Sequence, residues 1–310
     1  MADLHPQVRS IVEAAETSDG EAVLADLEAR RAGYLQTALE LGGAAEPVAG
    51  VEDAVIPRAH GGSLAARAYR PLVPAEALGA LLWYHGGGWI IGDLEGFDRV
   101  ARALANASGA LCVTVDYRLA PEHPFPAAVD DARAAVAWAA EHGARQLGFD
   151  PSRVCVGGDS AGGALAAAAA RHERARIRAQ LLVYPALDAR MTSAAYREFA
   201  DDPVLGAAEM ARCWAAYLEG HDGAGDPDAS PAAAADLAGV PPAYVAVAAH
   251  DVLRDDGLAY ARALRAAGVE AEDVVFDGMV HGFLRWGGVV DAARELVVAL
   301  GERARRAIAP

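Results

Sequence analysis

Short apolar segments alternate along this chain with longer segments in which apolar residues recur every three or four positions. The short runs predict β-strands and the longer periodic segments predict helices. Regular alternation of the two is typical of an α/β fold with a mostly parallel sheet. The predicted strands are Val51–Pro57, Ser63–Tyr69, Ala80–Tyr84, Leu111–Asp116, Arg153–Val156, Ala179–Tyr184, Ala243–Ala249 and Ala271–Phe276. The predicted helices include Phe97–Ser108, Ala127–His142, Ala161–Arg171, Asp255–Ala267 and Ala292–Arg306.

Two segments interrupt this alternation. Residues 1–46 have the pattern of two helices, and residues 188–222 contain a helical block centred on Ala207–Leu218. By analogy with lid segments, helices inserted beside the carboxyl ends of the strands are expected to cover a functional site. The alternative is that they only complete the globule. We predict an α/β core formed by residues 47–187 and 223–310, with residues 1–46 and 188–222 as helical cap segments.

Composition narrows the class of protein. The 310 residues are 54% hydrophobic, enough for one large core, and the net charge of −16 argues against nucleic acid and anionic membranes as partners. Residues 1–20 lack the apolar stretch of a signal peptide, and no run approaches the ~18 apolar residues of a spanning helix. The three cysteines fit no metal site, and Cys112 and Cys155 lie in predicted strands, so buried free thiols are expected. We therefore predict a cytoplasmic protein without a membrane partner.

A candidate nucleophile lies in the segment Gly158-Asp159-Ser160-Ala161-Gly162-Gly163, between a predicted strand and a predicted helix. Gly-x-Ser-x-Gly in that context predicts a nucleophile elbow, a tight turn that holds the serine hydroxyl up at the sheet edge. Gly158 and Gly162 are small, as the close approach of strand and helix requires. A glycine-rich turn that serves packing alone is the alternative, so the interpretation depends on partners elsewhere in the chain.

Those partners are a base and an acid. A serine hydroxyl attacks only when a base takes its proton, and histidine is the usual base. Of the nine histidines, His281 has the right position, on a loop after a late predicted strand. Asp251 follows the preceding predicted strand and would fix the histidine tautomer. Asp255 is the alternative acid, but it is predicted to cap the next helix. The order Ser160, Asp251, His281 is that of the α/β-hydrolase scaffold.

Acyl transfer also needs donors that already point at the developing oxyanion. The segment His85-Gly86-Gly87-Gly88-Trp89 follows the predicted strand Ala80–Tyr84. Consecutive glycines let the backbone approach a ligand and turn its N–H groups inward. With the N–H of Ala161, this loop predicts an oxyanion hole, and a flexible hinge is the alternative. His85 itself is predicted to hydrogen-bond the loop.

Together these segments resemble the hormone-sensitive-lipase-like family of α/β hydrolases, also called bacterial esterase family IV. The resemblance implies an eight-stranded sheet with helical caps and the hydrolysis of short- or medium-chain carboxylic esters through an acyl-enzyme. It implies catalysis without a cofactor, and no metal site is expected. The matching segments are His85–Trp89, Tyr117–Ala128, Gly158–Gly163, Asp251 with Leu253–Asp255, and His281–Phe283.

The resemblance also implies roles for single residues. The oxyanion donors match the N–H groups of Gly87, Gly88 and Ala161, with Gly86 supporting the turn. The segment from Tyr117 forms the loop and helix beneath the site. Its carboxylates Glu122, Asp130 and Asp131 are expected to be structural. Val252 stands where the family usually has proline after the acid, so we expect a looser turn without loss of chemistry.

Aromatic residues near the caps are candidates for substrate contact. They are Trp89, which stands where phenylalanine is common in the family, Trp214 and Tyr217. Packing in the core is an equal alternative for Trp214.

The prediction is a serine carboxylesterase acting on small-molecule esters. The same three side chains would also serve lactone or amide hydrolysis, deacetylation of a metabolite or a cyclising acyl transfer, because a fold does not fix the substrate. A non-catalytic small-molecule-binding protein is the weaker alternative, since Ser160, Asp251 and His281 are all present. The resemblance further allows a homodimer.

Overall fold

The computed structural model describes residues 4–16, 26–59 and 61–310. Within these ranges, one sheet has the strand order β1-β2-β4-β3-β5-β6-β7-β8. The strands are β1 (Gly50–Pro57), β2 (Ser63–Arg70), β3 (Ala80–Tyr84), β4 (Leu111–Val115), β5 (Val154–Asp159), β6 (Gln180–Val183), β7 (Ala243–His250) and β8 (Ala271–Val280). The α-helices are α1 (Pro6–Glu16), α2 (Leu27–Leu41), α3 (Leu94–Ser108), α4 (Ala127–Trp138), α5 (Ala144–Leu147), α6 (Ala161–His172), α7 (Ala194–Glu198), α8 (Ala207–Leu218), α9 (Arg254–Ala266) and α10 (Asp291–Ile308).

The sheet is antiparallel only at its first edge. β2 pairs antiparallel with β1 and with β4, and every later pairing is parallel. The central strands β3 to β6 are buried along their whole length because helices cover both faces of the sheet. Along β3, Leu82 and Tyr84 belong to one apolar cluster, and Leu81 and Trp83 to the other. The predicted α/β-hydrolase fold is confirmed.

The strand predictions match the structure to within one residue except at the carboxyl ends of β5 and β8, where the predicted β5 stops three residues before Asp159. β7 runs on to His250, and β8 continues past Phe276 to Val280. With these longer strands, Asp251 and His281 are the first residues after β7 and β8. The predicted helix 127–142 is wrong in its last turn, because α4 ends at Trp138 and a π-helical turn follows.

The segment predicted as the first cap contains α1 and α2, which lie within the described residues, whereas residues 1–3 and 17–25 of that segment lie outside them. The insertion after β6 contains α7 and α8. Among the helices of the described ranges, none combines the length and apolar character needed to cross a bilayer.

Helices α3 and α10 pack against the same face of the sheet and cross closely at one glycine. A Cβ built on Gly301 of α10 would lie 2.5 Å from Cβ of Ala107 and 2.6 Å from its carbonyl carbon. Protein interiors are too densely packed to absorb such an overlap without a shift of backbone. The separation of the two helices therefore depends on the missing side chain.

We expect Gly301→Ala to destabilise the fold by about 1–3 kcal/mol through overpacking. Gly33→Ala in α2 is the matched control, because a Cβ there meets nothing within 4 Å. It gains helix propensity, up to about 1 kcal/mol. Urea unfolding followed by circular dichroism measures both variants, and a Gly301→Ala protein as stable as the wild type would contradict the close crossing.

Candidate active site

The backbone of Ser160 is bent into a sharp turn between β5 and α6, with φ 55° and ψ −120°. A non-glycine residue adopts a positive φ only when its surroundings hold it there. Its N–H donates to the carbonyl of Val183 at 2.9 Å, and its carbonyl accepts from Gly163 at 3.0 Å and Ala186 at 3.1 Å. These bonds fix the turn, and the hydroxyl of Ser160 faces a cavity.

The two glycines that flank the turn are required by backbone contact. A Cβ on Gly162 would lie 1.9 Å from the carbonyl oxygen of Tyr84, and a Cβ on Gly158 would lie 2.2 Å from the carbonyl oxygen of Gly162. Main-chain atoms cannot move aside as a flexible side-chain end can. The Gly-x-Ser-x-Gly spacing in this chain therefore follows from the strand, the turn and the helix touching one another.

Ser160, His281 and Asp251 form one hydrogen-bonded chain. His281 Nε2 lies 2.9 Å from Ser160 Oγ, and His281 Nδ1 lies 2.7 Å from Asp251 Oδ2. Asp251 is only 1% exposed and Ser160 6%. Because a carboxylate can only accept, Nδ1 carries the proton and Nε2 offers its lone pair to the serine hydroxyl. This is the tautomer in which a histidine can take the proton of the serine.

The sheet register brings the acid and the histidine together. β7 and β8 are parallel neighbours, and His250 pairs with Val280. Asp251 follows β7 and His281 follows β8, so both residues lie at the same edge of the sheet. Ser160 leaves β5 at that edge as well, because the carboxyl ends of parallel strands lie together.

The turn after Asp251 is closed by its own side chain. Asp251 Oδ1 accepts from the N–H of Leu253 at 2.9 Å, and the carbonyl of Asp251 accepts from Arg254 at 3.1 Å. Val252 is fully buried. The turn therefore has hydrogen bonds and packing where proline would have supplied a fixed φ.

The prediction that Asp255 caps the next helix is wrong. Helix α9 begins at Arg254, so Asp255 lies inside its first turn. The carboxylate of Asp255 accepts from the N–H of Ala195 at 2.9 Å and from Arg254 at 3.1 Å. Asp255 therefore connects α9 to the inserted segment and stands apart from His281, which bonds to Asp251.

The glycine loop after β3 presents free N–H groups to the cavity. Gly87 and Gly88 have φ of 130° and 60°, and Gly86 to Gly88 line the same cavity as Ser160. In the part of the chain that the structure describes, the N–H groups of Gly87, Gly88 and Ala161 donate to no protein acceptor. Such unengaged donors beside a serine hydroxyl are what an oxyanion requires.

A second layer holds the glycine loop from below. His85 is buried, its Nδ1 bonds to the carbonyl of Gly86 at 2.9 Å, and its ring stacks on that of Tyr117 at 4.5 Å. Tyr117 Oη donates to the carbonyl of His85 at 2.8 Å, and Ala120 donates to the carbonyl of Trp89 at 2.8 Å. Burial lowers the pKa of His85 to about 4, so its ring is neutral near pH 7. The segment from Tyr117 thus fixes the loop that carries the donors.

Two carboxylates of that segment, Asp131 and Glu122, take part in ion pairs. Asp131, which is fully buried, accepts from Arg118, and Glu122 accepts from Arg31 of α2. A further buried carboxyl, that of Asp159, lies against the cavity and accepts from Trp83 Nε1 at 3.1 Å. Desolvation raises the pKa of Asp159.

The cavity above Ser160 has a volume of about 300 Å³. Its floor is formed by the glycine loop, Ser160 and His281, and much of its wall comes from the two segments outside the core. From the first segment and the insertion, the wall receives Arg30, Tyr34, Thr37, Val204, Leu205, Glu209, Met210 and Cys213. The core adds Ile91, Asp159, Tyr184, Gly282, Arg285 and Trp286.

Sequence reasoning missed these wall residues because they form no motif. Arg30, Tyr34 and Thr37 are spaced by four and three positions, which places them on one face of α2. Glu209 and Cys213 share a face of α8 in the same way. Helical spacing marks such faces, but only the packed structure shows that both are turned toward Ser160.

The prediction that Trp89, Trp214 and Tyr217 line the substrate pocket is wrong for this cavity. All three side chains are buried and none belongs to the wall. The rings of Trp89 and Tyr217 stack at 4.3 Å, and Trp214 lies 4.4 Å from Trp89. These large apolar rings gain more from one another than from an open cavity, and they anchor α8 to the glycine loop.

Residues 81–285 match the family model of the α/β hydrolase fold. The chain belongs to this α/β-hydrolase family. It is 44% identical over 236 residues to carboxylesterase NlhH of Mycobacterium tuberculosis, a match that covers 74% of each chain. The resemblance to hormone-sensitive-lipase-like esterases is confirmed.

Solved structures of esterases share the whole architecture. The hyperthermophilic esterase of the archaeon Pyrobaculum calidifontis superposes with a TM-score of 0.89 at 39% identity and covers 99% of this chain and 100% of its own. A thermostable esterase of Pseudomonas putida ECU1011 reaches a TM-score of 0.94 at 32% identity, with 100% of this chain and 99% of its own covered. The similarity therefore includes the segments outside the core.

The neutral state of His85 makes stability depend on pH. Its pKa is about 4 when folded and near 6.5 when exposed, so the unfolded chain binds a proton first as pH falls. This lowers the free energy of unfolding between pH 6.5 and pH 4, by roughly 3 kcal/mol over the whole window.

We expect the stability of His85→Gln to vary less across that pH window than that of the wild type, because glutamine does not titrate. His142→Gln, at an exposed histidine, is the control and keeps the wild-type slope. Urea unfolding at a series of pH values between 4 and 7 measures the slope. Identical slopes for His85→Gln and the wild type would contradict a buried neutral ring.

Proposed function

We propose that this protein is a serine carboxylesterase that hydrolyses small carboxylic esters through an acyl-enzyme. The observation that carries the proposal is the hydrogen-bond chain from Asp251 through His281 to Ser160, next to three unengaged backbone N–H groups. Membership of a family whose relatives include carboxylesterases and esterases supports the same reaction.

In the first half of the reaction, Ser160 becomes acylated. His281 Nε2 takes the hydroxyl proton while Oγ bonds to the ester carbonyl carbon, and the carbonyl oxygen becomes an oxyanion. The N–H groups of Gly87, Gly88 and Ala161 donate to this oxygen, while Gly86 supports the loop. When the C–O bond to the alcohol breaks, His281 returns the proton to the leaving oxygen.

In the second half, water repeats the sequence on the acyl-enzyme. His281 takes a proton from water, the hydroxide oxygen bonds to the acyl carbon, and the same donors bind the oxyanion. The bond to Ser160 Oγ then breaks, Oγ recovers its proton from His281, and the carboxylic acid leaves. Asp251 holds the ring of His281 and stabilises its charged form throughout.

The shape of the cavity supports a small ester as substrate. Its volume of about 300 Å³ lies at the lower end for ligand sites. We assign residues 1–46 and 188–222 as caps that set the substrate range, supported by the wall residues that both contribute. This favours short and medium acyl chains.

The setting of the enzyme is part of the proposal. Three free cysteines, all buried, support a reducing compartment, so we assign the protein to the cytoplasm. The net charge of −16 supports a small molecule as its partner and disfavours nucleic acid. A homodimer stays a prediction.

We expect Ser160→Ala to abolish the hydrolysis of p-nitrophenyl acetate and butyrate, because the variant lacks the hydroxyl that His281 activates. A loss of about 10⁶-fold in kcat is the scale for a missing nucleophile. Labelling of the wild type, but not the variant, by a fluorophosphonate checks that Ser160 is the reacting group. Equal hydrolysis by both proteins would reject the proposal.

Asp251→Asn tests the orienting acid. We expect kcat to fall by about 10³–10⁴-fold, because an amide favours the wrong tautomer of His281. Asp255→Asn is the matched control, being four positions away and bonded to Ala195 and Arg254 instead. A larger loss of kcat in Asp255→Asn than in Asp251→Asn would reverse the assignment of the acid.

A further inference from the structure

One ion pair joins the two segments that wall the cavity. Arg30 of α2 bonds to Glu209 of α8 through Nη2 and Oε1, and both residues line the cavity above Ser160. Each side chain is only 13% exposed. Charged side chains this well shielded are costly unless they are paired, because separation leaves a partly buried charge without a partner.

The carboxylate of Glu209 has two further partners. Arg212 Nε donates to Oε2 at 3.0 Å, and the thiol of Cys213 lies 3.7 Å from Oε1. Cys213 in turn packs against the glycine loop, since a Cβ on Gly88 would lie 2.5 Å from its sulfur. Glu209 therefore fixes the part of the wall directly beside the proposed oxyanion donors.

Each of the two helices is also anchored to the core separately. Arg31 of α2 forms two bonds with Glu122, of 2.7 and 2.8 Å, and a third with the carbonyl of Ile90 at 3.0 Å. Helix α8 is anchored through Tyr217, whose ring stacks on Trp89. The Arg30–Glu209 pair is thus not needed to attach either helix to the core. It spans the gap between α2 and α8.

We infer that the Arg30–Glu209 ion pair determines acyl-chain specificity by closing the cavity between α2 and α8. The inference rests on the proposed esterase function and adds the residues that limit its substrates. A short acyl group fits beneath the pair and leaves it intact. A long apolar chain has to pass between the two helices, where it removes the remaining water from the pair or forces the charges apart.

The decisive measurement is the ratio of kcat/KM for p-nitrophenyl octanoate to that for the acetate. Arg30→Met with Glu209→Met removes both charges and keeps side chains of moderate length. We expect this double variant to raise the ratio about tenfold, because an apolar wall accepts the added methylenes. The ratio cancels changes that affect both esters equally, such as a fraction of unfolded enzyme.

The charge-reversed pair separates the ion pair from side-chain volume. Arg30→Glu with Glu209→Arg restores a pair of opposite charges, so we expect the ratio of the wild type. If this variant does not fold, Arg30→Lys keeps the charge and serves the same purpose. Arg212→Met is the matched control, because Arg212 bonds to the same carboxylate from the exposed side, and it keeps the wild-type ratio.

Two results would overturn the inference. One is an unchanged ratio in the Met/Met variant. The other is a charge-reversed pair that shifts the ratio as far as the Met/Met variant does, which would make volume the cause. A failure of the esterase proposal looks different, because wild-type hydrolysis would then persist in Ser160→Ala.

Discussion

The hydrogen bond between Asp251 and His281 is the contact on which the site depends. It determines which ring nitrogen carries the proton, and so whether Nε2 can accept from Ser160. The bond exists because β7 and β8 are parallel neighbours in register at His250 and Val280. The pairing of β7 with β8 therefore selects the His281 tautomer that the chemistry requires.

The rest of the site surrounds that histidine with Ser160 and the glycine loop. The elbow at Ser160 is a backbone arrangement that only glycine tolerates at Gly158 and Gly162. The loop of Gly86 to Gly88 is rigid for a different reason, because a buried neutral His85 and Tyr117 support it. Glycine is the most flexible residue type, yet the N–H groups of this loop are held in place by His85 and Tyr117.

Local patterns in the sequence were enough to identify the core of the machinery. The Gly-x-Ser-x-Gly spacing, the glycine run after β3 and the chain order of Ser160, Asp251 and His281 each follow from chemistry that permits few residue types. Asp255, Trp89 and Tyr217 were misjudged, and Trp214 follows its packing alternative, because capping and pocket lining depend on where a helix begins and which way it faces. The helix begins at Arg254, two residues before the start that a cap at Asp255 requires, so Asp255 lies in its first turn.

The sequence by itself determined the α/β class, the order of the strands along the chain and the residues able to perform acyl transfer, because these depend on local periodicity and residue chemistry. Only the tertiary structure decided that Arg30 meets Glu209 across the cavity and that Trp89 packs on Tyr217. Such contacts join segments distant in sequence, and they form only when α2 and α8 are folded against the cavity of Ser160.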